Sequence, residues 1–269
     1  MILLQNMKHD FVEGILGRIK LYIGIVILSL AGNFKLLYLC GIANGNQQNL
    51  GWQDFLFFIL KGSEVIDIKE KPFDFPYIFM TFYILIAFII GDYVERDLKK
   101  NGINYLIRMN NRTKWIASKY IWCAGTVTIS YMCIIITSFA FSIINNGNIL
   151  LKTQFNELLG LNMNYQNVSL IIKLIFLSYL TEIAVSAIQI TISLLIDSVF
   201  SLIIVIGFWV LSVYWASPIL INSYCFLQRT NIFINGTISL NMGLILDIII
   251  IITCVSIGMF YFKRKDILV

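Results

Sequence analysis

Residues 170–196 read LIIKLIFLSYLTEIAVSAIQITISLLI, an apolar run interrupted by charge only at Lys173 near its start and Glu182 at its middle. A helix needs about 20 predominantly apolar residues to cross roughly 30 Å of hydrocarbon, so a run of this length and purity predicts a membrane span. Five more runs of the same kind, at about 21–41, 75–91, 120–144, 199–221 and 240–262, flank it. The expected fold is therefore all-α: a single transmembrane domain over residues 1–269 with six transmembrane helices. Composition agrees, because 13% of the residues are charged where a soluble domain carries roughly a quarter. A lipid membrane is the expected surrounding, and no nucleic-acid partner is expected.

The basic residues give the orientation. With alternating spans, Lys8, Arg18, Lys20, Arg96, Lys99, Lys100, Arg108, Arg112, Lys114, Lys119, Lys263, Arg264 and Lys265 share one side, and Lys61, Lys69, Lys71, Lys152 and Arg229 share the other. The richer side is cytoplasmic by the positive-inside rule, which places both termini inside the cell membrane. The first apolar run has no small-residue cleavage site, so the N-terminus is expected to be retained.

Before that run, Leu4, Met7, Phe11, Val12, Ile15, Leu16 and Ile19 recur at three- and four-residue steps, with Lys8, Asp10, Glu13 and Arg18 opposite. This predicts an amphipathic helix lying along the inner membrane surface. On the external side, Trp52–Leu60 is apolar but too short to cross, and is expected to rest in the interface with Trp52 at headgroup depth. Pro76 introduces the second span, Asp197 and Ser198 make a tight turn between the fourth and fifth, and Pro218 ends the fifth. Lys35, Lys173 and Asp247 lie near the outer ends of their spans, within reach of the interface. Asn235–Thr237 matches an external glycosylation acceptor.

The catalytic repertoire is small. His9 is the one histidine and is expected on the exposed face of the amphipathic helix, so neither a histidine-based triad nor a multi-histidine metal site is expected. Neither a G-x-S-x-G elbow nor a phosphate-cradling G-x-x-x-x-G-K-[ST] loop occurs. The five cysteines show no C-x-x-C spacing and read as small apolar fillers. No catalytic residue, cofactor or metal is expected in this chain, and any ATP and Mg would be bound by another polypeptide.

Two constellations remain. Along the fourth span, Ser178, Glu182, Ser186, Gln189, Ser193 and Asp197 are spaced by three or four and share one helical face. An ionised carboxylate at mid-bilayer costs about 2.5–3.5 kcal/mol, so Glu182 should face protein or water. The face is either a translocation path or a set of interhelical hydrogen bonds. A weaker stripe, Thr126, Ser130, Cys133 and Thr137, could meet the first span.

The second constellation is the segment between the second and third spans. Acids Asp92, Glu95 and Asp97 give way to a break at Asn101-Gly102, then to Ile103, Leu106 and Ile107 on one helical face, and then to Arg108, Arg112, Lys114 and Lys119. A short amphipathic helix here offers a grip to a cytoplasmic protein. The order Glu95, Asp97, Gly102, Leu106, Arg112, Lys119 resembles the loop between the second and third spans of type-2 ATP-binding-cassette exporter permeases. The run from Arg112 to Trp122 and the ending Phe262–Ile267 resemble such permeases from Gram-positive bacteria. Two positions depart from the pattern: Ile103 stands where a threonine is common, and Asn110 and Asn111 where a proline is.

The resemblance implies a permease subunit moving an amphipathic or hydrophobic cargo, such as an antimicrobial peptide, drug or lipid, out of the cell by alternating access. It implies a second permease, identical or related, and two copies of an ATPase subunit, with the coupling contacts at Glu95, Asp97, Gly102, Ile103, Leu106, Arg108 and Arg112. The alternative is a channel or secondary transporter that uses Glu182 as an ion or proton site.

Overall fold

The computed structural model describes residues 2–44, 50–64, 75–99, 112–145, 168–233 and 237–264. The helices are α1 (Ile2–Ile15), α2 (Ile19–Asn44), α3 (Trp52–Leu60), α4 (Tyr77–Gly91), α5 (Tyr93–Asp97), α6 (Arg112–Ile144), α7 (Val168–Leu195), α8 (Ser198–Tyr214) and α9 (Leu240–Arg264). Among the described residues there is no strand; Thr230 and Ile238 form an isolated bridge. The protein is an all-α membrane protein, with five helical stretches long and apolar enough to span: Gln5–Gly41, Tyr77–Asp97, Arg112–Ile144, Leu170–Leu195 and Leu240–Arg264.

The run expected to span at 199–221 is shorter as a helix. α8 stops at Tyr214, because Pro218 cannot continue it and disfavours helix in the residue before it. At 1.5 Å per residue its 17 residues reach about 26 Å, somewhat short of the hydrocarbon thickness.

α9 lies chiefly against α7, while α1, α2 and α3 lie against α6, and α4 fits between α2, α7 and α8. Between α4, α6, α7 and α8 sits an aromatic core: Tyr83 stacks on Trp209 with centroids 4.1 Å apart, and Phe82 meets Tyr131 edge-on at 5.5 Å. The stripe on α6 does meet the first span, through a Ser29–Thr137 hydroxyl pair at 2.5 Å.

Three expectations change. α3 does not lie exposed on the surface of the bundle: Gln53, Asp54, Phe55, Leu56, Phe57, Ile59 and Leu60 are fully buried. Beyond Gln53 and Asp54 in its first turn, α3 is apolar all round and has no extended face suited to water, and it packs inside the protein against α2, α4 and α6. Asp247 does not reach the interface either; it is fully buried and accepts a 2.7 Å hydrogen bond from Thr181. The N-terminal helix, finally, turns part of its polar side inward: Asn6, Asp10, Gly14 and Arg18 are buried while Lys8 and Glu13 stay exposed, and Phe11, Val12, Leu16 and Ile19 are exposed as well. Gly14 permits this approach, because a Cβ there would collide with the Trp122 indole.

At the opposite end of the bundle, a cap of irregular chain closes over α7 and α8. The 3-10 turns Ile221–Cys225 and Leu227–Arg229 are held to residues 61–63 by Gln228 N donating to Lys61 O at 3.3 Å and by Arg229. The Arg229 guanidinium is fully buried. It donates to Ser63 O at 3.1 Å, Ser63 Oγ at 3.0 Å, Val213 O at 2.8 Å and Ser212 O, so it terminates α8 at its negative dipole end. Its acceptors are carbonyl and hydroxyl oxygens.

Candidate functional site

The inward polar face of α1 meets the chain just after α4, and the two build a buried charge node. Lys119, 1% exposed, donates to Asp97 Oδ2 at 2.5 Å and to Asp10 Oδ1. The Tyr93 hydroxyl donates to the same Asp10 oxygen at 2.9 Å. The Lys119 ammonium also lies 4.8 Å from the ring centroids of both Tyr93 and Trp115. His9, expected on a solvent face, lies with Nε2 3.6 Å from Asp97.

About two helical turns along from Asp10, Arg18 donates to the Phe88 carbonyl at 2.8 Å, to the Ile89 carbonyl and to Asp92. It therefore meets the last carbonyls of α4, whose partial negative charge favours a cation. On the other flank Glu95 accepts from the backbone N–H of Ser198 at 2.9 Å, beside Asp197, which accepts from the same N–H at 2.7 Å. Two carboxylates thus face the positive end of α8. Lys99 pairs with Glu95 at 2.5 Å, and that hydrogen bond holds the exposed Lys99 ammonium above its ordinary pKa.

Residues 92–99 are consequently bonded to α1, α4, α6 and α8 together. Of the expected coupling residues, Asp97 is buried against Lys119, and Glu95 is engaged by Lys99 and the α8 terminus. Neither is offered as a bare carboxylate to a partner. Arg112 donates to Lys263 O at 3.4 Å, joining the start of α6 to the end of α9. Gly102, Ile103, Leu106 and Arg108 lie outside the described residues.

The polar face of α7 is equally internal. Ser178, Glu182, Ser186, Gln189 and Ser193 are all buried. Ser178 Oγ lies 2.8 Å from both the Tyr83 and the Tyr131 hydroxyls, themselves 3.1 Å apart. Ser186 donates to Glu182 at 3.4 Å, and Gln189 Nε2 donates to Ala87 O at 2.9 Å. Glu182 Oε2, Gln189 Oε1 and Ser193 Oγ have no hydrogen-bond partner among the described residues. Asp247, fixed from α9 to Thr181, is the second buried acid on this side of α7.

Sequence reading missed Asp10, Arg18, Tyr93 and Lys119 as parts of one site. A signal was present: Asn6, Asp10, Gly14 and Arg18 are spaced by four, and a glycine in the middle of a polar line marks a close helix contact rather than a wet face. No group of three His, Cys, Asp or Glu placed to hold a metal ion occurs among the described residues.

Residues 29–268 match the model of a family described as protein of unknown function, DUF2705. The chain belongs to the DUF2705 family. The match takes in the second half of the first span, all of the later apolar helices, the residue 92–99 segment and Lys119, and begins after the Asp10 and Arg18 half of the charge node. Comparison of this DUF2705 chain with curated proteins and with solved structures gives no match.

Proposed function

We propose that this DUF2705 protein is the permease subunit of an ATP-driven exporter, a six-span bundle seated in the cell membrane with both termini in the cytoplasm. It pairs with a second permease, identical or related, and with two copies of an ATPase that binds the ATP and Mg. The observation that carries the reading is the wiring of residues 92–99: a force on the loop that follows reaches α1, α4, α6 and α8 through charged and hydrogen-bonded contacts rather than through soft apolar packing. The chain itself has no loop to cradle a nucleotide phosphate, so the engine is a separate subunit.

In this proposal the seven coupling residues divide by role. Asp97 and Glu95 transmit, by holding Lys119 and the α8 terminus. Gly102, Ile103, Leu106, Arg108 and Arg112 make the grip on the ATPase. Buried as it is in one chain, the face Ser178–Glu182–Ser186–Gln189–Ser193 lines a translocation path only when α4 or α6 moves aside; an amphipathic or hydrophobic cargo otherwise travels between permeases.

The test is affinity purification of the chain in mild detergent with identification of the bound subunits. A nucleotide-binding protein is expected to co-purify, to be lost on Ile103→Asp or Arg108→Glu, and to be retained on Ser193→Ala. Full cargo transport by the isolated chain in liposomes would end the reading. A Glu182→Gln variant that abolished gradient-driven flux without any ATPase would favour the channel or secondary transporter instead.

A further inference from the structure

The charges of the buried node do not balance. Asp10 and Asp97 bring two carboxylates, both buried, to the single ammonium of Lys119. The nearby guanidinium groups are committed elsewhere, Arg18 to Asp92 and the end of α4, and Arg96 to Asp92 at 4.0 Å. A buried carboxylate in excess of its cations is costly, and such a place favours the uptake of a proton.

Two groups in the node could take that proton, and the geometry separates them. Asp10 uses Oδ1 for both Lys119 and Tyr93, while its buried Oδ2 has no hydrogen-bond partner among the described residues. A carboxyl O–H at that oxygen would have no acceptor. Asp97 divides its oxygens instead: Oδ2 accepts from Lys119 at 2.5 Å, and Oδ1 lies 3.6 Å from His9 Nε2. A proton on His9 therefore sets a second cation against the Asp97 oxygen that Lys119 leaves. The His9 side chain is 22% exposed, where those of Lys119, Asp10 and Asp97 are 1%, 2% and 7%. It is the member of the node that exchanges protons with bulk water, and imidazole is the side chain that titrates between about pH 5 and 8. The charged and titratable groups around it are Asp97 and Tyr93 from α5, Lys119 from α6, and Asp10 and Glu13 from α1 itself.

We propose that His9 is a proton-binding site whose imidazolium is the second cation of the node, pairing with Asp97 to hold the residue 92–99 segment against α1. Without that proton, α1 keeps Asp10 on Lys119 and on Tyr93, and Asp97 depends on Lys119 alone. The folded node binds the proton and the unfolded chain has nothing equivalent, so the contact strengthens as pH falls and weakens as pH rises. The inference rests on the charges of the node and stands whether or not an ATPase grips the loop that follows.

His9 is the one histidine, so nuclear magnetic resonance of the full chain in detergent, carrying isotope-labelled histidine, reads its ratio of protonated to neutral ring without assignment. An opposite charge within about 4–6 Å favours the charged form of a buried group by roughly ten- to a thousandfold, and for the partly exposed His9 the low end applies. Asp97→Asn is therefore expected to lower the ratio about tenfold near pH 7. Glu13→Gln, which removes an exposed acid one turn along α1, should change it by about twofold. A second measurement leaves both carboxylates and Lys119 in place: the melting temperature of the parent should exceed that of His9→Gln by about 3 °C more at pH 6 than at pH 8. Size-exclusion chromatography checks that each form is folded, and should Asp97→Asn not be, the melting comparison decides alone. A ratio that Asp97→Asn leaves unmoved, or that Glu13→Gln lowers as far, would overturn the pairing. A melting difference equal at the two pH values would overturn its hold on the fold.

Discussion

Replacing Lys119 by methionine tests the charge node directly. Methionine keeps the length and the apolar stem but removes the ammonium that Asp10 and Asp97 share. Asp10 would keep the Tyr93 hydroxyl at 2.9 Å; Asp97, at 7% side-chain exposure, would be left with His9 at 3.6 Å. Removing one member of a buried ion pair costs about 3–5 kcal/mol, because the partner remains as an uncompensated charge. For a chain of this size each kcal/mol lowers the melting temperature by roughly 2–4 °C, so the loss is on the order of 10 °C. The assay is thermal melting in detergent followed by size-exclusion chromatography. The triple variant Lys119→Met/Asp10→Asn/Asp97→Asn removes the charges together, retains an acceptor for Tyr93, and should recover most of the loss, as whole-triad replacement does elsewhere. The reasoning fails if Lys119→Met melts within about 1 °C of the parent, or if the triple variant melts lower than the single one.

Three further outcomes follow from other parts of the fold. Arg229→Met should destabilise by about 2–4 kcal/mol, since it strips donors from the carbonyls of Ser63, Ser212 and Val213 in a buried place; Arg229→Lys should recover little, because an ammonium cannot reproduce the guanidinium fork, and the melting temperature of the two variants beside the parent should read both. Gly62 has φ of 73° and a Cβ there would lie 2.5 Å from Phe226 Cδ1, so Gly62→Ala should cost about 1–3 kcal/mol, and an unchanged melting temperature would contradict the left-handed backbone at this turn. At the start of α8, Asp197→Ala should cost about 0.5–2 kcal/mol as a lost cap, while Lys99→Ala, which breaks an exposed i,i+4 pair with Glu95, should cost less than about 1 kcal/mol; melting of the two variants side by side gives the order.

Five of the six expected spans were legible because the bilayer makes a single demand, a long apolar run, and the sequence answers it with few charges; the run at 199–221 has the composition, but Pro218 cuts its helix short. What was illegible is which neighbour each face meets. α1 has the same apolar–polar alternation whether its polar side faces water or a buried lysine, and only the partner residues Tyr93, Asp97 and Lys119 distinguish the two. α3 failed for a related reason: length alone excluded a span, but an interfacial helix needs a polar face, and Phe55 to Leu60 has none. Asp247 was judged by distance from a span end, whereas its place was decided by Thr181 across the helix pair. The α7 stripe was found by spacing alone, yet spacing does not tell whether such a face lines a path or, as Ser178 and Gln189 do here, bonds to tyrosines and a carbonyl of the same chain.

These contacts also bear on where motion occurs in the proposed exporter. α4 is joined to α7 by Tyr83–Ser178 and by Gln189–Ala87. α8 is held at one end by Glu95 and Asp197 and at the other by Arg229, and α2 is tied to α6 by Ser29–Thr137. Polar bonds buried in hydrocarbon are costly to break without replacement, so opening a path through the middle of one chain would sacrifice several at once. Rotation of the whole bundle against a second one sacrifices none of them. The faces that such a rotation would slide are those already exposed and apolar, on α2, α8 and α9, and in the proposed exporter the charge node would turn a pull on the residue 92–119 segment into movement of the bundle as one body.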